Sequence, residues 1–437
     1  MKKILFLIVF FLISTPVLGK TIDWNTTLNQ ILENSYDIKL TKTDIDISKV
    51  KIKEAQSEYF PKLGIYAYGE FNKDLAPENF KQTMYIGNEV IYGSDIYQNA
   101  ISAGLTYNLW DFGIRGDNLK IAKKDVISKK ANYLKTMRDI ELNSVELYAK
   151  ALSEYKEILI KTEILVIEKE LLSIKSRLNQ AGQVDKPSVI AENIKLKELE
   201  NDINKISNEY EKTLKDLSFY SKQDYLKDDV LSDFEISNEI LSVNIQYDNP
   251  PEIQIYNAEI EKKQKELLIA KKKNLPQFTF SANYYLYGAS PNDLSSAFDN
   301  FGQKGLKFRI TGYLPVFDGF KNKSERDRLN LEILRLEIEK EQKIADFNRN
   351  AEKINADSNF SKQLLDNNKT MLELINTNIS MLDRLNENLL IDKQTYLNEK
   401  IKLLNQKLSV QKSQISEFTT AYKKFVLNKY NDNIGKL

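Results

Sequence analysis

Residues 305–319 read GLKFRITGYLPVFDG, and this stretch joins the two patterns from which the fold can be inferred. In its first part Leu306, Phe308, Ile310, Gly312 and Leu314 alternate with Lys307, Arg309, Thr311 and Tyr313. That period of two predicts a β-strand with one apolar and one polar face. After the stretch, residues 320–434 contain neither glycine nor proline. Because glycine costs about 1 kcal/mol and proline about 3 kcal/mol in a helix interior, the stretch predicts a junction between a strand and very long helices.

The same order of segments occurs twice in the chain. Residues of the helix before the strands recur 215 positions later, as Ile38 and Ile253, Ile45 and Ile260, Ala55 and Ala270, and Pro61 and Pro276. Residues after the strands recur 207 positions later, as Asp111 and Asp318, Arg177 and Arg384, Leu178 and Leu385, Asn179 and Asn386, Asp185 and Asp392, and Lys186 and Lys393. A constant offset on each side of one loop indicates an internal duplication.

The duplication predicts the organisation of the chain. We expect a signal peptide at 1–19, a first repeat at 20–217 with strands near 62–72 and 99–110, an equatorial linker at 218–248, a second repeat at 249–430 with strands near 277–288 and 305–315, and a tail at 431–437. A helix over 113–180 would be about 100 Å long at 1.5 Å per residue. That length indicates a coiled coil, a spacer or a tunnel wall.

The first 19 residues have the pattern of a secretory signal. Lys2 and Lys3 precede an apolar core at 4–13, and Val17-Leu18-Gly19 resembles a cleavage site. A retained transmembrane helix is the competing interpretation, but the apolar run is too short for one. No other segment is continuously apolar over 18 residues, so we do not expect a helical integral membrane protein.

The composition argues against several classes of function. The net charge is +1, and the 63 basic and 62 acidic residues are interspersed, which does not predict nucleic-acid binding. The chain has no histidine, which is the usual general base, and no cysteine, which is the thiol nucleophile. Both residues are also common metal ligands. We therefore expect neither an enzyme nor a cofactor. A hydrolase based on carboxylates is the remaining enzymatic alternative.

Four alternating runs predict four strands, at residues 63–71, 101–109, 278–286 and 306–314. Each run is about as long as a tilted strand that crosses a bilayer, and a transmembrane barrel has one apolar and one polar face. A soluble sandwich with one solvated face is the competing interpretation. Four strands leave two unpaired edges, which hydrocarbon does not tolerate. The sequence therefore predicts a homo-oligomer that closes one composite barrel.

Short motifs at the ends of the strands carry a resemblance to a known family. Tyr59-Phe60-Pro61 and Asn274-Leu275-Pro276 precede the two strand pairs, and Leu109-Trp110-Asp111-Phe112-Gly113 and Pro315-Val316-Phe317-Asp318-Gly319 follow them. In this arrangement the chain resembles the TolC family of outer-membrane efflux proteins over essentially its whole length after the signal. The fold class implied is a mixed α/β membrane protein, with a long α-helical coiled-coil barrel and four transmembrane β-strands per chain.

The resemblance also implies the assembly and the partners. Three chains would form a homotrimer with a twelve-stranded barrel in the outer membrane, in contact with lipid, and a long helical tunnel in the periplasm. Such proteins are the exit channel of a tripartite efflux pump or of a type I secretion system. Their partners are a periplasmic adaptor protein and an inner-membrane transporter of the RND or ABC type.

The turns between the long helices are the candidate sites for adaptor docking and gating. In the first copy the residues that match the family's tip motif are Arg177, Leu178, Gly182, Val189 and Ile190, and in the second copy they are Arg384 and Leu385. Asp185 and Asp392 belong to the same two turns and are further candidates. Leu389 stands where the second glycine is expected, which predicts a less sharp turn. The acidic gate positions of the family fall on Thr395 and Asn398, which are uncharged. A cation-binding ring of carboxylates is therefore not expected at these two positions. Asp392, one turn away, could form such a ring instead, but we expect it to cap the returning helix, as its repeat partner Asp185 would.

Two further groups of residues are candidates for a role in the channel. Asp111, Gly113, Asp318 and Gly319 form the strand-to-helix motifs, and each aspartate can cap the helix that follows. Lys307 and Arg309 lie on the polar face of one strand. If that face lines the lumen, they would favour anions. Pairing with acidic residues of the loops is the competing interpretation.

Two other functional classes remain open at this stage. A periplasmic adaptor protein also has an export signal and a long helical hairpin, but only one hairpin. A non-channel envelope coiled-coil protein would explain the helices but not the duplicated alternating strands.

Overall fold

The computed structural model describes residues 20–73, 83–86, 89–92, 96–235, 237, 240 and 249–431. The expected signal peptide, most of the tail and part of the expected linker lie outside the described residues. Within the described residues, the helices are α1 (Trp24–Asn34), α2 (Tyr36–Ser57), α3 (Ile114–Gln180), α4 (Lys186–Ser221), α5 (Pro251–Lys272), α6 (Leu294–Asp299), α7 (Lys321–Glu387) and α8 (Lys393–Lys429). None of these described helices has both the length and the hydropathy needed to cross a membrane.

The helix boundaries repeat with the same offsets as the sequence motifs. Helices α2 and α5 each contain 22 residues and begin 215 positions apart. Helices α3 and α7 each contain 67 residues and begin 207 positions apart. Each long helix coincides with a segment that lacks glycine and proline, apart from Gly116 in the first turn of α3. The duplication seen in the sequence is therefore a duplication of helical elements.

A four-stranded antiparallel sheet is built from both halves of the chain. The strands are β1 (Thr21–Ile22), β2 (Lys62–Asn72), β3 (Thr83–Ile86), β4 (Glu89–Tyr92), β5 (Ile96–Trp110), β6 (Val230–Leu231), β7 (Gln277–Ser290) and β8 (Gln303–Tyr313). The large sheet has the order β2-β5-β7-β8, so that β2 and β8 are its edges. This confirms the expected combination of long helices and four antiparallel strands. Strand β8 ends two residues before Pro315, because proline has no N–H to donate to the ladder.

The register of the sheet separates apolar and polar side chains. In one row Leu63 pairs with Leu105, Leu105 with Ala282, and Ala282 with Phe308. Directly paired residues project from the same face of a sheet, so this row belongs to a continuous apolar face. The neighbouring row is Lys62, Thr106, Ser281 and Arg309, and it belongs to the polar face. Large apolar side chains of the first face are exposed on this chain, among them Leu63, Ile65, Leu306, Phe308 and Ile310.

The contacts divide the chain into two compact units that do not coincide with the two repeats. Unit 1 comprises Met1–Lys42, Asn132–Glu252 and Ile344–Leu437, and unit 2 comprises Thr43–Ala131 and Ile253–Lys343. Each unit therefore contains parts of both repeats. The reason is that α3 and α7 each contribute their first residues to unit 2 and the remaining residues to unit 1.

An aromatic cluster forms one core of unit 1. The Trp24 ring lies 5.5 Å from the Tyr148 ring and 5.4 Å from the Tyr422 ring, and Phe234 stacks on Phe418 at 4.2 Å. The Tyr148 hydroxyl lies within hydrogen-bond distance of the carbonyl oxygens of Ile22 (2.9 Å) and Ser232 (2.8 Å). Since the short strands β1 and β6 pair there in parallel, this core anchors the start of the described chain against α3 and α8.

A second core of unit 1 lies between α3, α7 and α8. Its buried members are aliphatic residues at helical spacing and one tyrosine: Ile160, Ile164, Ile167, Leu171, Ile375, Leu382, Tyr396, Leu397, Leu403, Leu404, Leu408 and Val410. An ion pair between Lys393 and Glu170, 3.2 Å apart, lies at its border. This core holds the two helical hairpins together near their turns.

Unit 2 combines the sheet with ion pairs between α2, α3 and α5. Asp125 on α3 lies 2.8 Å from Lys262 on α5 and 3.6 Å from Lys51 on α2. Partial burial would raise the pKa of Asp125, but the hydrogen bond and the charge of Lys262 outweigh it, so the pKa is lowered. Asp125 therefore holds its charge between three helices.

Candidate functional site

The first hairpin turn, between α3 and α4, is closed by a glycine. Gly182 has φ +74°, in the left-handed region. The N–H of Gln183 donates to the carbonyl of Leu178 (2.9 Å), and the N–H of Gly182 donates to that of Asn179 (3.0 Å). This pattern belongs to the Schellman family of helix ends. The candidate residues of the first tip therefore contribute their backbone to the turn, while the Arg177 side chain is exposed.

The second hairpin turn has the same geometry although its glycine is missing. Leu389 adopts φ +58°. The N–H of Leu390 donates to the carbonyl of Leu385 (2.9 Å), and the N–H of Leu389 donates to that of Asn386 (3.1 Å). The expectation of a less sharp turn was wrong, because the backbone hydrogen bonds set the turn. A non-glycine residue pays about 1–2 kcal/mol for this conformation.

Asp392 caps α8, as expected, whereas Asp185 does not cap α4 in the same way. One Asp392 oxygen accepts from the N–H of Thr395 at 2.8 Å. Hydrogen bonds from the Thr395 side chain and backbone lower the pKa of Asp392. Asp185 makes no bond to the backbone of α4 and contacts the Ser188 hydroxyl instead. Pro187, at the start of α4, offers no N–H to a cap.

The two predicted gate positions carry no charge and face solvent on this chain. Thr395 and Asn398 are exposed, and the Asn398 amide donates to the carbonyl of Gln394 at 2.9 Å. A cation-binding ring formed by Asp392 stays a prediction. Its carboxylate is already engaged by the helix cap.

A hydrogen-bonded cluster near the second tip was missed by sequence reasoning. The Tyr396 hydroxyl donates to Asp383 (2.7 Å), and Lys400 lies 2.9 Å from the same carboxylate oxygen. Burial would raise the pKa of Asp383, but Tyr396 and Lys400 outweigh it and lower the pKa. The repeat counterparts of the three residues, 207 positions earlier, are Ser176, Val189 and Asn193. The different residue types at these three positions in the two copies were the signal in the sequence that could have revealed the cluster.

The first hairpin has its own buried charged cluster, also missed from the sequence. Glu192 of α4 is buried and contacts Lys175 of α3. Burial, with Glu192 as neighbour, raises the pKa of Glu168 to about 7. The counterparts of Glu168 and Lys175 in the second copy are Ile375 and Leu382. The two turns therefore have the same backbone geometry, whereas the charged side chains near them differ.

At the strand-to-helix junctions, each aspartate accepts hydrogen bonds from the start of a long helix. Asp111 accepts from the N–H groups of Gly113 and Arg115, both at 3.0 Å, and from the Arg115 side chain at 2.9 Å. Asp318 accepts from the N–H of Asn322 at 2.9 Å. Two consecutive left-handed residues stand at each junction: Phe112 and Gly113 in the first copy and Gly319 and Phe320 in the second. The contacts are those of helix caps.

The polar face of the sheet contains Lys307 and Arg309, both exposed. The register adds a residue that the sequence analysis did not single out, because Lys62 lies in the same row as Arg309. Within the described part of the chain no group of three or more acidic side chains is arranged to hold a metal ion.

Comparison with protein-family models gave no match, and comparison with curated protein sequences gave none either. Solved structures gave several matches. The Campylobacter jejuni CmeC outer membrane channel aligns with a TM-score of 0.73 at 17% identity, over 93% of this chain and 85% of that chain. The outer membrane protein VceC of Vibrio cholerae aligns with a TM-score of 0.69 at 13% identity, over 92% of this chain and 94% of that chain.

A third match is CusC, whose structure is described in terms of transmembrane channel formation. It aligns with a TM-score of 0.67 at 14% identity, over 93% of this chain and 91% of that chain. At such identities the similarity concerns the fold, and it covers nearly the whole chain. The chain therefore has the fold of the TolC family of outer-membrane channels.

Proposed function

We propose that the protein is an outer-membrane exit channel, formed by three copies and working with a periplasmic adaptor and an inner-membrane transporter. The observation that carries this proposal is the four-stranded sheet, which has an exposed apolar face, a polar face and two unpaired edges. A channel of this kind transports its substrate without chemical conversion, in agreement with the absence of histidine and cysteine from the sequence.

The lengths and edges of the strands support a closed barrel. The four strands contain 11 to 15 residues, and about 9–11 residues suffice for a tilted strand to cross a bilayer. In hydrocarbon each unpaired backbone group costs several kcal/mol, so β2 and β8 require partners. Strand β8 of one copy and β2 of the next would supply them. Three copies would give a barrel of about twelve strands, an even number in the usual range.

The first experiment is the native mass of the exported protein after mild extraction of outer membranes. A species of three mature chains in the outer-membrane fraction is the expected result. A soluble periplasmic monomer would contradict the channel and favour a coiled-coil envelope protein. A six-fold assembly in the inner-membrane fraction would favour an adaptor.

We place the adaptor contact at the two hairpin tips. The second tip exposes two adjacent leucines, with Leu389 at 89% and Leu390 at 72% exposure. Contiguous exposed apolar surface is a feature of interaction sites, and these two leucines are adjacent in the turn. Gly182 occupies the corresponding position of the first tip, so only the second tip offers apolar side chains there.

Single cysteines can test the tips, because the chain contains no cysteine of its own. A thiol-reactive photo-crosslinker at Leu389→Cys is expected to capture a periplasmic protein in intact cells. Leu374→Cys is the matched control, because Leu374 is exposed on α7, about four turns before the end of that helix. Capture at both positions, or at neither, would contradict docking at the tip.

The proposal covers an efflux pump and a type I secretion system, because both need the same duct. The protein captured at the tip distinguishes them. An adaptor that copurifies with an RND transporter supports efflux, and one that copurifies with an ABC transporter and a secreted protein supports secretion.

A further inference from the structure

Three basic side chains lie close together on the polar face of the sheet. Lys62 on β2 and Arg309 on β8 occupy the two ends of one row, with Thr106 and Ser281 between them. Lys307 lies in the adjacent row of the same face, where Asn283 is its partner on β7. Neighbouring rows of one face are about 7 Å apart. The three charges thus form a narrow band, which we call the basic band.

Among the described residues, the carboxylates near the basic band offset only part of its charge. Glu70 is on the same face of the described strands, but four rows from Lys62. Below the band, Lys62 shares a cavity of about 400 Å³ with Glu58 and Asp111. Asp111 is already paired with Arg115 at 2.9 Å. Glu58 is left to offset at most one of the three positive charges of each chain.

The pairing rows of the sheet also place the basic band at the two edges where neighbouring copies would meet. Lys62 stands on one edge strand and Arg309 on the other. In a closed barrel the β8 edge of one chain would adjoin the β2 edge of the next. Both edges would then carry positive charges to the boundary between two copies. The basic band would continue from copy to copy around the whole lumen.

The dimensions of such a barrel allow the band to act on permeating ions. Twelve strands spaced about 4.8 Å apart and tilted by about 40° would place opposite backbone walls about 24 Å apart. No point of the lumen is then more than about 12 Å from a wall. The Debye length is about 10 Å at 0.1 M salt and about 3 Å at 1 M. The charges would therefore reach the pore axis at low salt and be screened at high salt.

We propose that Lys62, Lys307 and Arg309 of each chain form a ring of positive charge that makes the barrel select for anionic solutes. This inference rests on the channel function proposed above. Fixed rings of basic side chains are a known means of excluding cations from pores. The chemical class favoured is small inorganic and organic anions.

The test is the reversal potential of the purified assembly in planar lipid bilayers under a potassium chloride gradient. The wild-type channel is expected to prefer chloride at about 0.1 M salt and to lose most of this preference at about 1 M. In the triple variant Lys62→Gln, Lys307→Gln, Arg309→Gln, the chloride-to-potassium permeability ratio should fall by about twofold or more. The charge-conserving variant Lys62→Arg, Lys307→Arg, Arg309→Lys should keep the wild-type ratio.

Lys304→Gln is the matched control, because Lys304 lies on β8 but pairs with Leu286 on the opposite face. Its permeability ratio should equal that of the wild type. A conducting triple variant with unchanged selectivity would overturn the basic band and leave the channel intact. A wild-type protein that neither trimerises nor conducts would instead overturn the proposed function. If the triple variant does not assemble, the single variant Arg309→Gln is measured instead. An unchanged chloride-to-potassium permeability ratio in this variant also overturns the inference.

Discussion

At the residue scale, the second hairpin turn shows how little of a turn depends on one side chain. Leu389 holds the left-handed conformation that Gly182 holds in the first copy, with φ +58° against +74°. Among the described residues its side chain is 89% exposed. An exposed and strained apolar residue is costly for stability. Its presence is understandable if a partner covers it.

Replacing Leu389 by glycine should stabilise the protein. The change removes about 1–2 kcal/mol of left-handed strain and costs about 0.5–1 kcal/mol through the greater freedom of glycine in the unfolded chain. The midpoint of thermal unfolding, followed by far-ultraviolet circular dichroism, should therefore rise. Gly182→Leu is the reciprocal control and should lower it. A lower midpoint for Leu389→Gly would show that the leucine has packing partners in the assembly.

Also at the residue scale, the raised pKa of Glu168 predicts that the stability of the first hairpin depends on pH. Burial, with Glu192 as neighbour, raises its pKa from 4.5 to about 7. For Glu192, burial is outweighed by the hydrogen bonds from Glu168 and Lys175, so its pKa is lowered. Below about pH 7 the proton is therefore held on Glu168, while Glu192 is ionised. A carboxyl with a raised pKa binds its proton more firmly when folded, so its contribution is complete below about pH 4.5 and is lost as the pH rises through about 7.

Glu168→Gln should remove this part of the pH dependence. The amide mimics the protonated carboxyl, so the variant should gain stability relative to wild type as the pH rises from about 4.5 to above 7. Denaturant midpoints at the two ends of this range measure the effect. Glu163→Gln, at an exposed position of α3, is the control and should follow the wild-type curve. Parallel curves for Glu168→Gln and the wild type would refute the coupling.

At the element scale, one buried carboxylate joins α8 to α3. Glu141 of α3 is fully buried and accepts from the hydroxyls of Tyr422 and Tyr430, both at 2.8 Å, and from Lys429 at 2.8 Å. Burial and the charge of Glu141 raise the pKa of both tyrosines well above the usual range. The end of α8 is thus held by polar bonds beside the aromatic core.

Glu141→Ala should destabilise the protein by about 3–5 kcal/mol, because it leaves Lys429 and two hydroxyls without their buried acceptor. Glu146→Ala is the matched control. Glu146 also pairs α3 with α8, through Lys423, but its side chain is 55% exposed. The control should cost less than about 1 kcal/mol. Guanidinium unfolding of both variants gives the comparison, and equal costs would contradict a special role of burial.

At the scale of the whole molecule, the unpaired edges determine how copies must associate. Within one chain β2 and β8 are separated by β5 and β7, and three strand spacings amount to about 14 Å. A disulfide requires Cα atoms about 4.4–6.8 Å apart. Cysteines on the two edges therefore cannot join within a chain, and they can join only between chains.

Pairs of cysteines at Ile65 or Leu63 of β2 and at Leu306, Phe308 or Ile310 of β8 should form covalent trimers on oxidation. At least one pair should match the register between copies. Non-reducing gels measure the outcome, and each single cysteine is the control, since alone it cannot link three chains. Ladders beyond three chains would indicate open filaments, and their complete absence would contradict edge-to-edge closure.

Much of the fold followed from the sequence, because it depends on local periodicity. The lack of glycine and proline predicted α3 and α7, and the period of two predicted all four strands of the large sheet and their faces. The turn at Leu389 was mispredicted, since the missing glycine was given more weight than the backbone hydrogen bonds that close the turn. The helix cap expected at Asp185 was also mispredicted. Pro187, at the start of α4, has no N–H that the Asp185 carboxylate could accept.

The sequence by itself determined the lengths of the elements and the alternation of faces, since each depends on residues close together in the chain. It also determined the duplication, since the same motifs recur at constant offsets. Only the tertiary structure decided the strand order β2-β5-β7-β8, the Glu141 and Glu168 clusters and the row that joins Lys62 to Arg309. These features bring together residues up to 289 positions apart, such as Glu141 and Tyr430. Their contacts depend on the order in which the strands pair and on the way the helices pack, and no local pattern records either.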